Sequence, residues 1–590
     1  MTVIMKRKLF PSLALLSAVL AVSACRVPTT AQPGTATVLI SDYSGNFSYK
    51  ADVGDGSHDV YFVFTNTGVS VSSDDMPTAK GLSVDGVELP GLMEQPAGGS
   101  SETSASIKDR IAYDNRTLLA RIGVQAGARS ISDALVQSPP AADVAGTTSG
   151  NMAYFNSATS MTGGAATCRS VTTATTAQGS RTLNIWVAND CWSGTGTGKK
   201  HYVTQTMVDQ LAARFLASGS DNDIYDWVTN IIGPEWGSTG YSDLISANGE
   251  ITILLADIAG DGDSTDAYGD DGGIVGYFYS LNNMRNDYLP ASYAGLSNER
   301  IMFVVDAVMY ANPDDNGYSV DTTTEYLDNG WLATDYWAEE CFSTLAHEFQ
   351  HMIQFYRKGV VVRGDGYTAD TWIDEMCSQL VEDLVADKIG VMGPRGVAYG
   401  DYTAGSSGNY NGRIPYFNKY LSLGLEGSSS YDVYDYSFSY SFGAWLLRNY
   451  GGARFVKNVV YDNATDSQAI TNAIKAFAGK TYALPNLLQR WAVAVLGSSR
   501  TDMPYGFRYN TGAASSSTSG LTAASYTVGS INFFNYSPAP AILDSSSLGS
   551  ASSFPSASNI YYKAATGLSG SRTFQIHLPA GVGFSVYVTP

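Results

Sequence analysis

Basic residues, and charged residues in general, are scarce in this chain of 590 residues. Lys and Arg total 35 against 55 Asp and Glu, so the net charge is −20, and only 15% of the residues are charged. A nucleic-acid partner requires a basic face that neutralises phosphates, and the composition therefore argues against one. The apolar content of 44% is sufficient for a packed core and excludes wholesale disorder.

Long apolar runs are missing beyond the N-terminal segment. After Cys25 no stretch reaches the roughly 18 apolar residues of a membrane-spanning helix. Residues 1–24 combine a basic start with a short apolar run, which predicts a signal peptide. The residues up to Cys25 resemble the bacterial lipoprotein box, which implies lipid on the Cys25 sulfur and membrane contact through it; an ordinary signal peptide is the alternative. We therefore expect an extracytoplasmic protein, secreted or held at the bacterial cell envelope.

Cysteine is also scarce, with four residues after Cys25. Cys168 lies in the first of two β-prone runs, Thr167–Thr172 and Thr182–Val187, that a turn joins, and Cys191 follows the second. Folding that hairpin brings the two cysteines together. We predict a disulfide between them, since an exported chain permits such bonds. Whether Cys341 pairs with Cys377 stays open, because buried free cysteines are common.

Turn-rich and Gly/Ser-rich stretches divide the chain into segments. After the signal peptide we predict a lipid-anchored tether over 25–36, a β-sandwich-like module over 37–93, a linker or pro-segment over 94–145, a large domain over 146–505, a linker over 506–530 and a C-terminal β module over 531–590. Within the linker or pro-segment, Ile107–Ile122 has a short amphipathic pattern that favours a helix.

Histidine is equally scarce, and two of the five stand four residues apart in Leu345–Ile353. This stretch has the pattern H-E-x-x-H within apolar residues at helical spacing, which predicts a helix over about 336–358. Residues i and i+4 share a helix face, so His347 and His351 can bind one zinc ion, and Glu348 can accept a proton from its water.

Catalytic zinc usually has a third protein ligand. A third histidine in the extended zincin pattern is ruled out, because Gln354 and Arg357 occupy the positions of its Gly and His. A carboxylate from the following predicted helix is the remaining route, and Glu375 lies 24 residues after His351. Its neighbour Asp374 is a rival ligand. Two more distant rivals are Asp365 and Asp370.

The chain resembles the glutamate-zincin metallopeptidases, in particular the hyicolysin-type (M30-like) family. The residues that carry the resemblance are Leu345–Ile353, Trp372–Met376, Trp186–Trp192 and Gly272–Phe278. The likeness covers roughly 146–505 and implies an α+β zincin-type metallopeptidase domain, with a mixed sheet and a helical lower half, flanked by small all-β modules. It also implies zinc held by His347, His351 and Glu375, with Glu348 as the catalytic base.

Three further predictions concern how this site would work. Tyr440 resembles a tyrosine placed similarly in related aminopeptidases and is our candidate donor to the oxyanion; the alternative is a packing tyrosine. Gln379 lies one turn past Glu375, where it could orient His347. Strand Glu250–Asp257 is a candidate edge for pairing with an extended peptide.

Calcium is a second candidate ion. Carboxylates at Asp257, Asp261, Asp263 and Asp266 could cage this oxygen-loving cation, although their spacing is not that of an EF-hand. A solvated acidic loop is the alternative.

The function that the sequence predicts is a secreted or surface-anchored zinc endopeptidase, whose partners are protein or peptide substrates. The alternatives are a surface adhesin or binding lipoprotein with an inactive zincin domain, and a zinc aminopeptidase. The catalytic set of Glu348 and three ligands is complete, which favours an active enzyme.

Overall fold

The structure is a computed structural model that describes part of the chain. The described residues are 36–39, 44–66, 82–89, 102–125, 142–262, 273–313, 330–425, 431–510, 514–517, 525–545 and 554–590. The predicted signal peptide, Cys25 with its predicted lipid, and Asp263 and Asp266 of the acidic loop lie outside them. No helix in these ranges is both long and apolar enough to cross a bilayer.

The secondary structure mixes strands and helices, which confirms the α+β class. The strands are β1 (Ala36–Leu39), β2 (Gly45–Asp52), β3 (His58–Asn66), β4 (Ser83–Val84), β5 (Val87–Glu88), β6 (Ser149–Phe155), β7 (Met161–Thr176), β8 (Gly179–Ala188), β9 (Glu250–Ala256), β10 (Gly276–Phe278), β11 (Met302–Asp306), β12 (Ala514–Ser517), β13 (Ser525–Val528), β14 (Asn559–Leu568), β15 (Ser571–Leu578) and β16 (Val582–Val588). The helices are α1 (Glu102–Gln125), α2 (Gln205–Phe215), α3 (Ile224–Ile232), α4 (Ala307–Tyr310), α5 (Tyr336–Gln354), α6 (Thr371–Ile389), α7 (Ile414–Lys419), α8 (Val433–Asn449), α9 (Ala453–Tyr461), α10 (Ser467–Ala478) and α11 (Leu484–Leu496).

A six-stranded mixed sheet forms the centre of the large domain. Its strand order is β10-β11-β9-β8-β7-β6, with β8, β9 and β11 parallel and the other pairs antiparallel. Strands β9 and β11 are almost wholly buried, as expected for parallel strands covered on both faces. Strand β9 is therefore not an edge, so our prediction for Glu250–Asp257 was wrong. The edge next to the helices is β10.

Helix α5 lies against this edge, and α6 packs against α5. Helix α5 contacts α6, β10 and β11, and it continues into a π-helical segment, Phe355–Arg363. Helix α6 ends at Gly390, whose φ of 84° is the left-handed conformation that glycine adopts at helix C-termini. The two predicted helices are thus present, and they form one packed pair beside the edge strand.

A second unit combines strands from both ends of the chain. One sheet has the order β1-β16-β3-β14 and the other β2-β15-β4-β5. Apolar side chains from both sheets form one buried cluster between them. We predicted separate β modules over 37–93 and 531–590, but strands from these two segments pair with each other. The reason is that β3 is an inner strand, flanked on both sides by C-terminal strands.

Replacing Phe62 by alanine should lower the free energy of unfolding by about 3–5 kcal/mol, the usual cost of removing a buried aromatic ring. The Phe62 ring is fully buried and lies 4.9 Å from the ring of Phe574 and 5.1 Å from that of Phe584, centroid to centroid. Urea unfolding measures the change. Phe534→Ala, at a partly exposed ring, is the control. A loss below about 1 kcal/mol for Phe62→Ala would contradict this packing.

The four cysteines of the described residues are buried, and none of them is in a disulfide. The predicted hairpin is present as β7 and β8, but its register places Cys168 opposite Trp186. Cys191 lies beyond the end of β8, in the turn Asn189–Cys191. The predicted Cys168–Cys191 disulfide was therefore wrong, and Cys341 and Cys377 form no disulfide with each other either.

Candidate metal centre

Helix α5 presents two imidazoles and a carboxylate to one cleft. Its opposite face is buried, with Leu345 and Phe349 fully inaccessible, so the polar face is fixed by packing. The rings of His347 and His351 stand with centroids 4.8 Å apart. Glu348 lines the same cleft. The i, i+4 spacing in the sequence therefore gives one converging pair, as predicted.

Helix α6 brings Glu375 to this pair. Its Oε2 lies 3.1 Å from Nε2 of His347 and 3.5 Å from Nε2 of His351. Ligand atoms about 2.0–2.1 Å from a tetrahedral zinc ion are about 3.3 Å apart, so the spacing fits such an ion. These three residues form the one cluster of potential metal ligands in the described part of the chain.

Two further carboxylates hold the other nitrogen of each imidazole. Glu382 Oε1 lies 2.6 Å from Nδ1 of His347, and Asp374 Oδ1 lies 2.9 Å from Nδ1 of His351. An Nδ1–H that donates to a carboxylate leaves the Nε2 lone pair free to bind a metal. Asp374, the rival ligand in the sequence, is thus placed to orient His351.

The sequence reasoning missed Glu382. We expected Gln379 to orient His347, but its Nε2 instead donates to the Glu375 carbonyl and to Ser439. Glu382 is seven residues past Glu375, two helical turns, so it shares the same face of α6. This periodicity is the signal that could have identified it.

The negative charge around the imidazoles affects their protonation. Burial lowers the pKa of His347, but hydrogen bonds to Glu375 and Glu382 outweigh this effect and raise the pKa to about 9. Burial raises the pKa of Glu375, while His351 and His347 hold it well below its usual range. The negative charge of the surrounding carboxylates therefore stabilises positive charge at the site, as the binding of a divalent metal ion requires.

Glu348 is held by the edge strand. Its Oε2 accepts a hydrogen bond from the Phe278 N–H at 2.7 Å. Burial raises the pKa of Glu348, which the nearby imidazoles oppose. Strand β10 can approach this closely because residue 276 is glycine: a Cβ there would lie 2.8 Å from a Thr344 methyl group and 3.4 Å from Glu348 Cγ.

Tyr440 is not among the residues that line the cleft containing His347, His351 and Glu375. Its side chain is fully buried, and its hydroxyl has no hydrogen-bond partner among the described residues. Burial raises its pKa well above the usual value, and the Asp383 carboxylate adds to the shift. Tyr436, one turn earlier on α8, lines the cleft, and its ring centroid lies 6.4 Å from that of His347. Our choice of Tyr440 was therefore wrong by one helical turn.

The calcium prediction receives no support from the described residues. Asp257 accepts hydrogen bonds from the Lys199 ammonium and from the Gly262 N–H. Asp306, which is also buried here, accepts from the backbone N–H groups of Ile258, Val308 and Met309. A lysine thus already neutralises the carboxylate that calcium would need.

Comparison with known proteins identifies a family and a relative. The family model for Peptidase M30 matches residues 164–312 and 308–589, which together are more than half of the chain. The chain is also 23% identical over 335 residues to a protein of Staphylococcus hyicus named neutral metalloprotease ShpI. That match covers 55% of this chain and 59% of the relative.

Proposed function

Because the chain belongs to the peptidase M30 family, we propose that it is a zinc metallopeptidase that hydrolyses peptide bonds within proteins. The observation that carries this proposal is the placement of Glu375 Oε2 within 3.5 Å of Nε2 of both His347 and His351. Two imidazoles and one carboxylate are a donor set of catalytic zinc sites, which keep a fourth position for water.

The chain's own residues supply the proton chemistry. A bound zinc ion would polarise the scissile carbonyl and lower the pKa of a water molecule. Glu348 would accept the proton of that water as it attacks, and then pass it to the leaving amine. Its hydrogen bond from the Phe278 N–H occupies one carboxylate oxygen, so the other oxygen is free to accept the proton.

Tyr436 is the proposed donor to the oxyanion. Burial raises the pKa of Tyr436 well above its usual value, and Glu375 adds to the shift. The phenol therefore stays protonated over the working pH range and can donate a hydrogen bond.

Tyr436→Phe should lower kcat by about 10²–10³-fold with little change in KM, because the donor acts on charge that develops in the transition state. Steady-state kinetics on a fluorogenic peptide measure both constants. The matched variant Tyr440→Phe should leave kcat unchanged, since that hydroxyl is buried away from the cleft. If the two variants lose activity equally, Tyr436 is not the donor.

Metal removal tests the proposed function as a whole. Casein hydrolysis by the purified chain should cease in 1,10-phenanthroline and return when zinc is added back in excess. A purified chain with zinc bound and no hydrolysis of casein or short peptides would favour the binding-protein alternative. Release of single N-terminal residues alone would favour the aminopeptidase. An extracytoplasmic location stays a prediction from residues 1–25.

A further inference from the structure

Helix α1 lies across the candidate active site. Its side chains Lys108, Ile111, Ala112 and Asn115 line the same cleft as the proposed metal ligands. With α1 in place the cavity is about 70 Å³, whereas pockets that hold ligands typically measure about 300–1,000 Å³. Such a cavity has room for a few water molecules but not for an extended polypeptide.

The Asn115 side chain forms hydrogen bonds with backbone groups at the end of the edge strand β10. Its Nδ2 donates to the Phe278 carbonyl at 2.9 Å, and its Oδ1 accepts from the Ser280 N–H at 2.7 Å. A carboxamide carries the same donor and acceptor as a peptide group, and a peptide added to a sheet edge bonds to such backbone groups. The Asn115 side chain thus makes two hydrogen bonds of the kind that an added peptide would make, and one of them is to Phe278, whose N–H holds Glu348.

Lys108 brings a positive charge to the same cleft. Its ammonium lies 5.3 Å from the centroid of the Tyr436 ring. Burial lowers the pKa of Lys108, and the carboxylates of Glu375 and Glu348 oppose that shift. The Lys108 ammonium thus interacts with the carboxylates of the proposed metal ligand Glu375 and the proposed base Glu348.

Specific polar contacts anchor α1 next to the cleft. Asp114 is buried and accepts hydrogen bonds from the hydroxyls of Tyr279 and Tyr293, the latter at 2.9 Å. Arg116 forms an ion pair with Asp370, the residue that precedes α6. These contacts hold the helix from two sides of the cleft.

We infer that α1 is an intramolecular plug that occupies the peptide-binding cleft and must leave it before a polypeptide can bind. This inference rests on the proposed function. The displaced unit is α1 alone and not the whole segment 37–145, because β3 is an inner strand between β14 and β16. Removing β3 would expose the aromatic core of the β unit.

The test measures peptide binding in a chain that cannot cut. In a zinc-loaded Glu348→Gln background, Asn115→Ala together with Arg116→Ala should tighten binding of a fluorescein-labelled casein peptide by about tenfold or more, because apparent affinity scales with the fraction of open molecules. Tyr113→Ala, at an exposed position of the same helix, is the control and should leave the dissociation constant unchanged. An unchanged or weaker affinity in the double variant overturns the inference.

A second measurement needs no change in α1. Saturating peptide should speed hydrogen exchange of the α1 backbone amides in the Glu348→Gln chain, because the helix is displaced. Slower exchange there would show that α1 is a wall of the binding site and would overturn the inference.

The proposed function and the plug fail in different ways. Tight peptide binding by the double variant, with no hydrolysis once Glu348 is restored, contradicts the proposed endopeptidase activity but supports the plug. Equal rates of casein hydrolysis with and without the Asn115→Ala and Arg116→Ala changes support the endopeptidase and overturn the plug.

Discussion

Replacing Glu348 by glutamine should lower kcat for peptide hydrolysis by about 10²–10⁴-fold, the range for loss of a general base. Glutamine keeps the shape of the side chain and an oxygen that can accept the Phe278 N–H hydrogen bond. It cannot take a proton from water at neutral pH. The metal ligands are untouched, so zinc content should equal that of the unaltered chain. Steady-state kinetics and metal analysis on the same preparation measure the two quantities.

The control for this variant lies on the same helix. Glu339→Gln removes a carboxylate in the first turn of α5, two turns before the metal ligands, and should leave kcat within about twofold. If Glu348→Gln retains more than about a tenth of the activity, another group is the base. If it loses zinc as well, Glu348 has a role in holding the metal that its position does not explain.

The local part of the site could be predicted from the sequence because helix geometry determines it. His351 follows His347 at a spacing of four residues, so any helix at this position places both rings on one face. The resemblance to the M30 family was confirmed by the family match. The donor prediction failed at Tyr440 for a reason of position: Tyr436 and Tyr440 both lie on α8, and Tyr436 is the one of the two that lines the cleft.

The non-local part could not be predicted. Strand propensity identifies β3 and β16 as strands but says nothing about which strand pairs with which. Their pairing joins residues 66 and 582, and no turn sequence links them. The same limit hid the position of β9 inside the sheet, and it hid α1, whose amphipathic pattern predicts a helix but not the cleft that it covers.

The carboxylates around the imidazoles illustrate this limit within the site itself. Asp374 and Glu375 are adjacent in sequence, and either could bind a metal. Helix α6 turns them by about 100° relative to each other, so one side chain reaches the Nε2 atoms and the other reaches an Nδ1. Only the packing of α6 against α5 determines which carboxylate is which.

Glu375→Gln should therefore reduce bound zinc and peptidase activity to background, whereas Asp374→Asn should lose only about 10–100-fold in zinc affinity, the usual cost of removing a carboxylate that orients a histidine ligand. The first change removes the anion from the ligand set and leaves two neutral imidazoles, which are too few for a catalytic zinc site. The second keeps all three ligands and loses only the carboxylate oxygen that lies 2.9 Å from Nδ1 of His351 and accepts its hydrogen bond.

Zinc titration with a competing chelator gives both affinities, and circular dichroism establishes that both variants are folded. The reverse order, with zinc retained in Glu375→Gln and lost in Asp374→Asn, would make Asp374 the ligand, because a side chain that only orients His351 cannot matter more to the metal than one that binds it.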